Sequence, residues 1–270
     1  MQVELLELDT GAIAHRTSSG HGRPIVFVHG NSASGATWRN QLGGPIGLRY
    51  RSIALDLPGH GDSPPPNDLA TYSAAGYAAV LADAVHHLHA DGPVLVGWSL
   101  GGHIALEAAA DIAGLAGIVI FGTPPLGRPP AMDEAFLANP AMEVGFTAEV
   151  DADAARRYAT AQVAPGSELS LDAAVEDILR TDGRARAGLA ATVAEGGMAD
   201  ELAIVKGLDV PLAVLTGAEE QLVNRAYLEA LDAPSLWHGK VHVIDGAGHA
   251  PHLEQPDVFD AILDNFMEEL

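Results

Sequence analysis

The chain of 270 residues contains no cysteine. That excludes a disulfide framework, a thiolate nucleophile and any thiolate metal site. Basic residues are scarce, with 14 Lys and Arg against 36 Asp and Glu, for a net charge of −22. Only Lys206 and Lys240 represent lysine. A field of that sign disfavours nucleic acid and anionic membrane surfaces as partners, and it disfavours strongly anionic substrates. Its plain role is solubility. No stretch approaches the ~20 apolar residues of a membrane span. Met1 to Thr10 carries acidic residues and no basic-then-apolar pattern, so no secretory signal is expected and a cytoplasmic protein is. Dinucleotide fingerprints, phosphate loops and His-Glu-x-x-His pairs are missing too, and no cofactor or metal is implied. The crowded His86, His87 and His89 read as a polar helix face.

What is present is a recurrent alternation. Short Val-, Ile- and Leu-rich runs predict strands at Val3 to Leu8, Ala12 to Thr17, Ile25 to His29, Ser52 to Leu57, Val94 to Trp98, Gly117 to Phe121, Leu212 to Thr216 and Val241 to Ile244. Helical patterns lie between several of them, at Ala74 to His89, Leu100 to Ala110, Ala226 to Leu231 and Val258 to Glu269. The first two strands read as an antiparallel edge and the later ones as a mostly parallel sheet. Thr123-Pro124-Pro125-Leu126-Gly127-Arg128-Pro129-Pro130 breaks the rhythm, because neither a helix nor a central strand tolerates it. Ala131 to Gly207 then reads as helical, with helices at Ala152 to Gln162, Leu171 to Arg180 and after the cap Asp182. Such an insert fits a lid over the carboxyl ends of the strands, where open α/β sheets bind ligands.

The chemistry concentrates in Val94-Leu95-Val96-Gly97-Trp98-Ser99-Leu100-Gly101-Gly102-His103. A buried strand, a serine between glycines and a helix start form a nucleophile elbow. A serine hydroxyl is a weak nucleophile, so it needs a base and a place for the developing oxyanion. His249, in Asp245-Gly246-Ala247-Gly248-His249 after the last strand, is the candidate base. Its carboxylate partner belongs to Gly217-Ala218-Glu219-Glu220-Gln221. Either glutamate fits; Glu220, three residues after the glycine, is the leading candidate. Asp245 is a rival that reads better as a turn residue. The amide of Leu100 points where negative charge will form, and the loop His29-Gly30-Asn31-Ser32 supplies Asn31 as the second oxyanion donor. Asp56-Leu57-Pro58-Gly59-His60-Gly61-Asp62-Ser63 reads as a structural turn. His103 reads as a packing or supporting residue below the site.

Taken together, these motifs resemble the α/β-hydrolase superfamily along the whole chain. The resemblance implies a mostly parallel eight-stranded sheet flanked by helices, with core segments 1–122 and 208–270 and a helical lid insertion at 123–207. A narrower likeness lies in His29 to Gly35, Gly97 to Ile104, Gly122-Thr123-Pro124-Pro125, Arg180 to Arg186 and His242 to Pro251. These are similar to the metal-independent N-acyl-homoserine lactone lactonases of this fold. That likeness implies a Ser99, Glu220 and His249 triad, with Asn31 and the lid residue Tyr158 touching the lactone or its oxyanion. Trp98, beside the serine, is expected to join the substrate contacts. The segments Gly217 to Gln221 and Gly127 to Val150 depart from the lactonase pattern, so acyl-chain preference does not carry over.

The expected function is a serine hydrolase that opens the lactone ring of N-acyl-homoserine lactones, which ends bacterial quorum signals. Its partner is then a small acyl lactone or ester. A general carboxylesterase or another lactonase is the alternative within the class. A slowly turning-over lactone receptor and a non-enzymatic binding module are the alternatives outside it. An aspartate at position 99 would be needed for epoxide hydrolase or dehalogenase chemistry.

Overall fold

The computed structural model describes residues 2–270. Eight strands form one sheet: β1 (Glu4–Leu8), β2 (Gly11–Thr17), β3 (Gly22–Val28), β4 (Tyr50–Leu55), β5 (Val94–Trp98), β6 (Gly117–Phe121), β7 (Leu212–Gly217) and β8 (His242–Ile244). Their spatial order is β1-β2-β4-β3-β5-β6-β7-β8. The β1–β2 and β2–β4 pairs are antiparallel and all others parallel. The fold is an α/β-hydrolase sheet.

The central strands are apolar on both faces because helices cover both faces. Side chains alternate along each strand. Val26, Val28, Ile118 and Ile120 therefore face one core layer, under helices α1 (Ala74–His87) and α2 (Leu100–Ala108). Ile25, Phe27, Val119 and Phe121 face the other layer, with Trp38 and with Phe259, Leu263 and Phe266 of the C-terminal helix Pro256–Glu268.

Boundaries shift where local chemistry overrides pattern. β3 starts at Gly22, three residues before the predicted start, and its register slips between Gly22 and Pro24. Pro24 has no N–H to give the ladder, which hides that part of the strand from a periodicity argument. β4 runs Tyr50–Leu55 rather than from Ser52 to Leu57. Helix α1 stops at His87, and His89 takes a left-handed φ of 48°. A short helix, Pro251–Glu254, precedes the predicted C-terminal one, so His249 lies two residues before a helix start. Proline at the first helical position forfeits no hydrogen bond, so Pro251 and Pro256 each open a helix here.

Between β6 and β7 the chain is helical with no strand; Phe136 forms one isolated bridge with Val223. Its four longest α-helices are α3 (Ala152–Ala161), α4 (Asp172–Arg180), α5 (Gly183–Ala194) and α6 (Glu201–Gly207). Asp151, Asp182 and Asp200 cap α3, α5 and α6 by accepting backbone N–H bonds. Arg186 anchors the insert. It is buried, and its guanidinium donates to the carbonyls of Thr147, Ala148 and Ile178 and to Ser32 Oγ. Among the described residues, no helix is long and apolar enough to cross a membrane.

Candidate active site

Ser99 directly follows β5 and caps α2 with φ 54° and ψ −120°, a conformation that costs a non-glycine residue energy. The surroundings enforce it. Its N–H donates to Phe121 O at 2.9 Å, and its carbonyl accepts from Thr123 Oγ1 at 2.8 Å. A Cβ on Gly97 would come within 2.4 Å of Gly101 O, and one on Gly101 within 2.2 Å of Val28 O. Only glycine lets strand and helix approach this closely. The strained turn lifts the hydroxyl above the end of the sheet.

His249 and Glu220 meet beside it. His249 Nδ1 lies 2.9 Å and 3.1 Å from the two Glu220 carboxylate oxygens, with both side chains 3% exposed. An ionised carboxylate only accepts, so Nδ1 carries the proton and the Nε2 lone pair is left for a proton from elsewhere. Burial alone would raise the Glu220 carboxyl. The charge and hydrogen bond of His249, with the Leu222 and Val223 amides, outweigh it and hold the group below its ordinary value. Glu219 and Asp245 are both exposed and make no bond to His249.

Backbone anchors fix the imidazole. Trp98 Nε1 donates to His249 O at 2.8 Å. The ring lies against Gly122, where an added Cβ would sit 2.6 Å from Cε1. Glu254 accepts from Gly248 N at 2.7 Å and Ala164 N at 2.8 Å, which ties this loop to the insert. Other buried histidines take structural parts. His29 donates from Nδ1 to Gly30 O and accepts from Leu57 N at Nε2; burial lowers its pKa to about 4. His252 bonds Thr37 and is held well below the usual value by burial.

Ser99, His249, Asn31, Leu100 and Tyr158 line one cavity of about 630 Å³, part of it open to solvent. The backbone N–H groups of Asn31 and Leu100 meet no acceptor among the described residues, so both are free for an oxyanion. The Asn31 side chain is already committed. Its Nδ2 donates to Gly145 O at 2.6 Å, and its Oδ1 accepts from Ser32 Oγ at 3.0 Å. Gly145 also abuts the Tyr158 hydroxyl, since a Cβ there would lie 2.9 Å from it. Burial pushes the Tyr158 phenol up to about 12, against the pull of Gln162 and Arg186. It stays protonated and able to donate.

Trp98 departs from its expected place. It does not line this cavity; its indole borders a separate one with Thr37, Ala159 and Leu253. Its ring packs on His252 at 4.8 Å and its N–H holds the His249 backbone. The glycine-rich loop Asp56 to Ser63 is a structural knot. Buried Asp56 accepts from Arg16, Gly35 N and Asp62 N. Two features escaped sequence reasoning. The cavity walls include Met132, Phe136, Met142 and Phe146, from a stretch with no clear periodicity. His103 also reaches the cavity, paired with buried Glu201 from the far end of the insert. Among the described residues, no three His, Asp or Glu side chains group as a metal would require.

Fold, elbow and His–Glu pair together define a class. A family model for the alpha/beta hydrolase family matches residues 25–262, and the chain belongs to that family. It is similar to crystal structures of the N-acyl homoserine lactonase AidH. One, complexed with N-butanoyl homoserine, superposes with a TM-score of 0.95 at 37% identity, covering 100% of this chain and 97% of that one. Another, a mutant complexed with N-hexanoyl homoserine lactone, gives 0.95 at 36%, covering 100% and 98%. Among curated proteins, the pimeloyl-[acyl-carrier protein] methyl ester esterase of Methylococcus capsulatus is 31% identical, covering 87% of this chain and 91% of the relative. The 2-succinyl-6-hydroxy-2,4-cyclohexadiene-1-carboxylate synthase of Klebsiella pneumoniae is 30% identical, covering 88% and 91%.

Proposed function

We propose that this protein is a serine hydrolase that opens the ring of N-acyl homoserine lactones, with Ser99, His249 and Glu220 as its triad. The observation that carries the reading is full-length likeness to a lactonase at 37% identity and a TM-score of 0.95. An apolar cavity beside the elbow supports it, because an acyl chain needs such a place.

His249 accepts the Ser99 proton at Nε2 as Oγ attacks the ring carbonyl. Glu220 fixes the imidazole and stabilises the imidazolium. The Asn31 and Leu100 amides receive the oxyanion, fixed in place before charge develops on it. Collapse breaks the bond to the ring oxygen, which takes the proton from His249 and leaves an acyl-enzyme. Water, deprotonated by His249, then attacks that ester and restores Ser99. The product is the open acyl-homoserine. Tyr158 donates from the insert toward the lactone, and the insert acts as a lid over core segments 1–122 and 208–270.

Esterase activity on acyclic substrates is a second reading, supported by the esterase relative at 31% identity. Incubation with N-butanoyl to N-decanoyl homoserine lactones, read by mass spectrometry, tests the proposal. It requires products heavier by one water, formed by the wild type and not by Ser99→Ala. Hydrolysis of p-nitrophenyl esters with every lactone left intact would replace it with the esterase reading.

A further inference from the structure

His103 lies one helical turn past Ser99 on α2 and reaches the same cavity. Its Nδ1 stands 2.9 Å from both oxygens of Glu201, a fully buried carboxylate. Glu201 is itself locked in place. Oε2 accepts from Leu126 N at 2.8 Å, and Glu201 N donates to Leu126 O at 2.8 Å. The Nδ1 proton therefore belongs to the Glu201 bond, and only Nε2 is left to act elsewhere.

Nε2 has no partner among the described residues, and it is not among the side-chain atoms sealed from all contact without one. The side chain keeps 10% exposure. The neighbouring wall is apolar: Leu126, Met132, Phe136 and Met198 line the same cavity. With Nδ1 taken, Nε2 is the polar atom His103 can offer to this cavity, whose lining away from Asn31, Ser99, Tyr158 and His249 is mainly apolar. A polar group in such a space discriminates strongly between ligands that satisfy it and ligands that do not.

We propose that His103 is a specificity-determining residue whose Nε2 hydrogen-bonds an oxygen carried on the acyl chain of the substrate, a ketone or hydroxyl. An anionic group fits badly, because Glu201 stands 2.9 Å from the ring and Glu107 lies close enough to act on it, so negative charge already surrounds His103. A neutral oxygen meets no such repulsion. Burial lowers the proton affinity of His103, but Glu201 and Glu107 outweigh it and raise the pKa above its ordinary value. The protonated ring presents Nε2–H as a donor to a ketone; the neutral ring presents a lone pair to a hydroxyl.

This inference rests on the acyl-substrate reading of the cavity, so its test uses two substrate series. One is N-hexanoyl homoserine lactone against its 3-oxo and 3-hydroxy forms. The other is p-nitrophenyl hexanoate against its 3-oxo, 4-oxo and 5-oxo forms. The readout is the ratio of kcat/KM, oxygenated over plain, at equal chain length. Wild type should favour at least one oxygenated member by roughly tenfold. His103→Phe should bring that ratio to about one, whatever its absolute rate. His103→Gln, which keeps a polar end, should retain part of the preference. A role confined to holding α6 on α2 would lower all substrates in proportion and leave the ratio unmoved. Ratios near one throughout the wild-type series, or a preference that survives in His103→Phe, would overturn the proposal. If His103→Phe does not fold, a full preference in His103→Gln and His103→Leu overturns it equally. Failure of the lactonase reading shows separately, as no wild-type opening of any lactone, while the p-nitrophenyl series still decides the role of His103.

Discussion

Gly122→Ala tests how tightly the base is held. Gly122 sits at φ +60°, and an added Cβ would lie 2.6, 2.8 and 3.0 Å from Cε1, Nδ1 and Nε2 of His249. Ordinary van der Waals contact starts at 3.4 Å, so the ring has to move by about 0.8 Å. The backbone of His249 is pinned by Trp98 Nε1, so the ring must give, and the 2.9 Å bond to Glu220 suffers with it. A misplacement near 1 Å costs on the order of 10²-fold in rate. The positive φ adds roughly 1–2 kcal/mol of strain to any residue with a Cβ. Gly114→Ala isolates that second effect, because Gly114 has φ +69° and open space where the Cβ would go. Gly114→Ala should lose stability in urea unfolding by that strain alone and Gly122→Ala at least as much, whereas kcat on p-nitrophenyl acetate should fall ~10²-fold only in Gly122→Ala. If both retain kcat within about threefold, Gly122 does not hold the His249 ring in place.

Glu220→Gln should reduce kcat well below Glu219→Gln in the same assay, since only Glu220 bonds His249; a larger loss in Glu219→Gln would move the acid to that residue. Tyr158→Phe should lower kcat on lactones ~10²-fold if the hydroxyl meets the transition state, while kcat/KM still climbs with acyl length at up to ~0.8 kcal/mol per methylene; a change within about threefold would assign the ring to packing alone. Asp177, raised to about 6 chiefly by burial, binds its proton more tightly folded than unfolded. The stability it contributes is present at pH 4 and lost as pH rises through about 6. Urea midpoints of Asp177→Asn and wild type should therefore diverge in the variant's favour from about pH 4 to a little above pH 6 and run parallel beyond it; curves parallel throughout would contradict the shift.

Much of this molecule is legible in its residues, for identifiable reasons. The central strands β3 to β7 announce themselves because they are buried apolar runs, the edge strand β1 through its leucines alone, and the elbow because Gly97 and Gly101 admit no alternative. Glu220 is legible by its count from Gly217. The order that places β4 between β2 and β3 is not, since it depends on pairings between distant segments such as His15 with Leu55. The His103–Glu201 pair joins residues 98 positions apart and leaves no local trace. Trp98 misleads for a related reason. Its neighbour Ser99 points into the cavity, but alternation along β5 sends the indole to the other side, against His252.

The central claim is that Ser99 is an activated nucleophile, and a fluorophosphonate probe addresses it most directly. The probe reacts with a serine only when a base and an oxyanion site are assembled around it. Peptide mapping should find one equivalent of phosphonate on Ser99, with loss of hydrolysis in step with labelling and no labelling of Ser99→Ala or His249→Ala. Labelling at another residue, or full labelling of Ser99 with activity intact, would contradict the account.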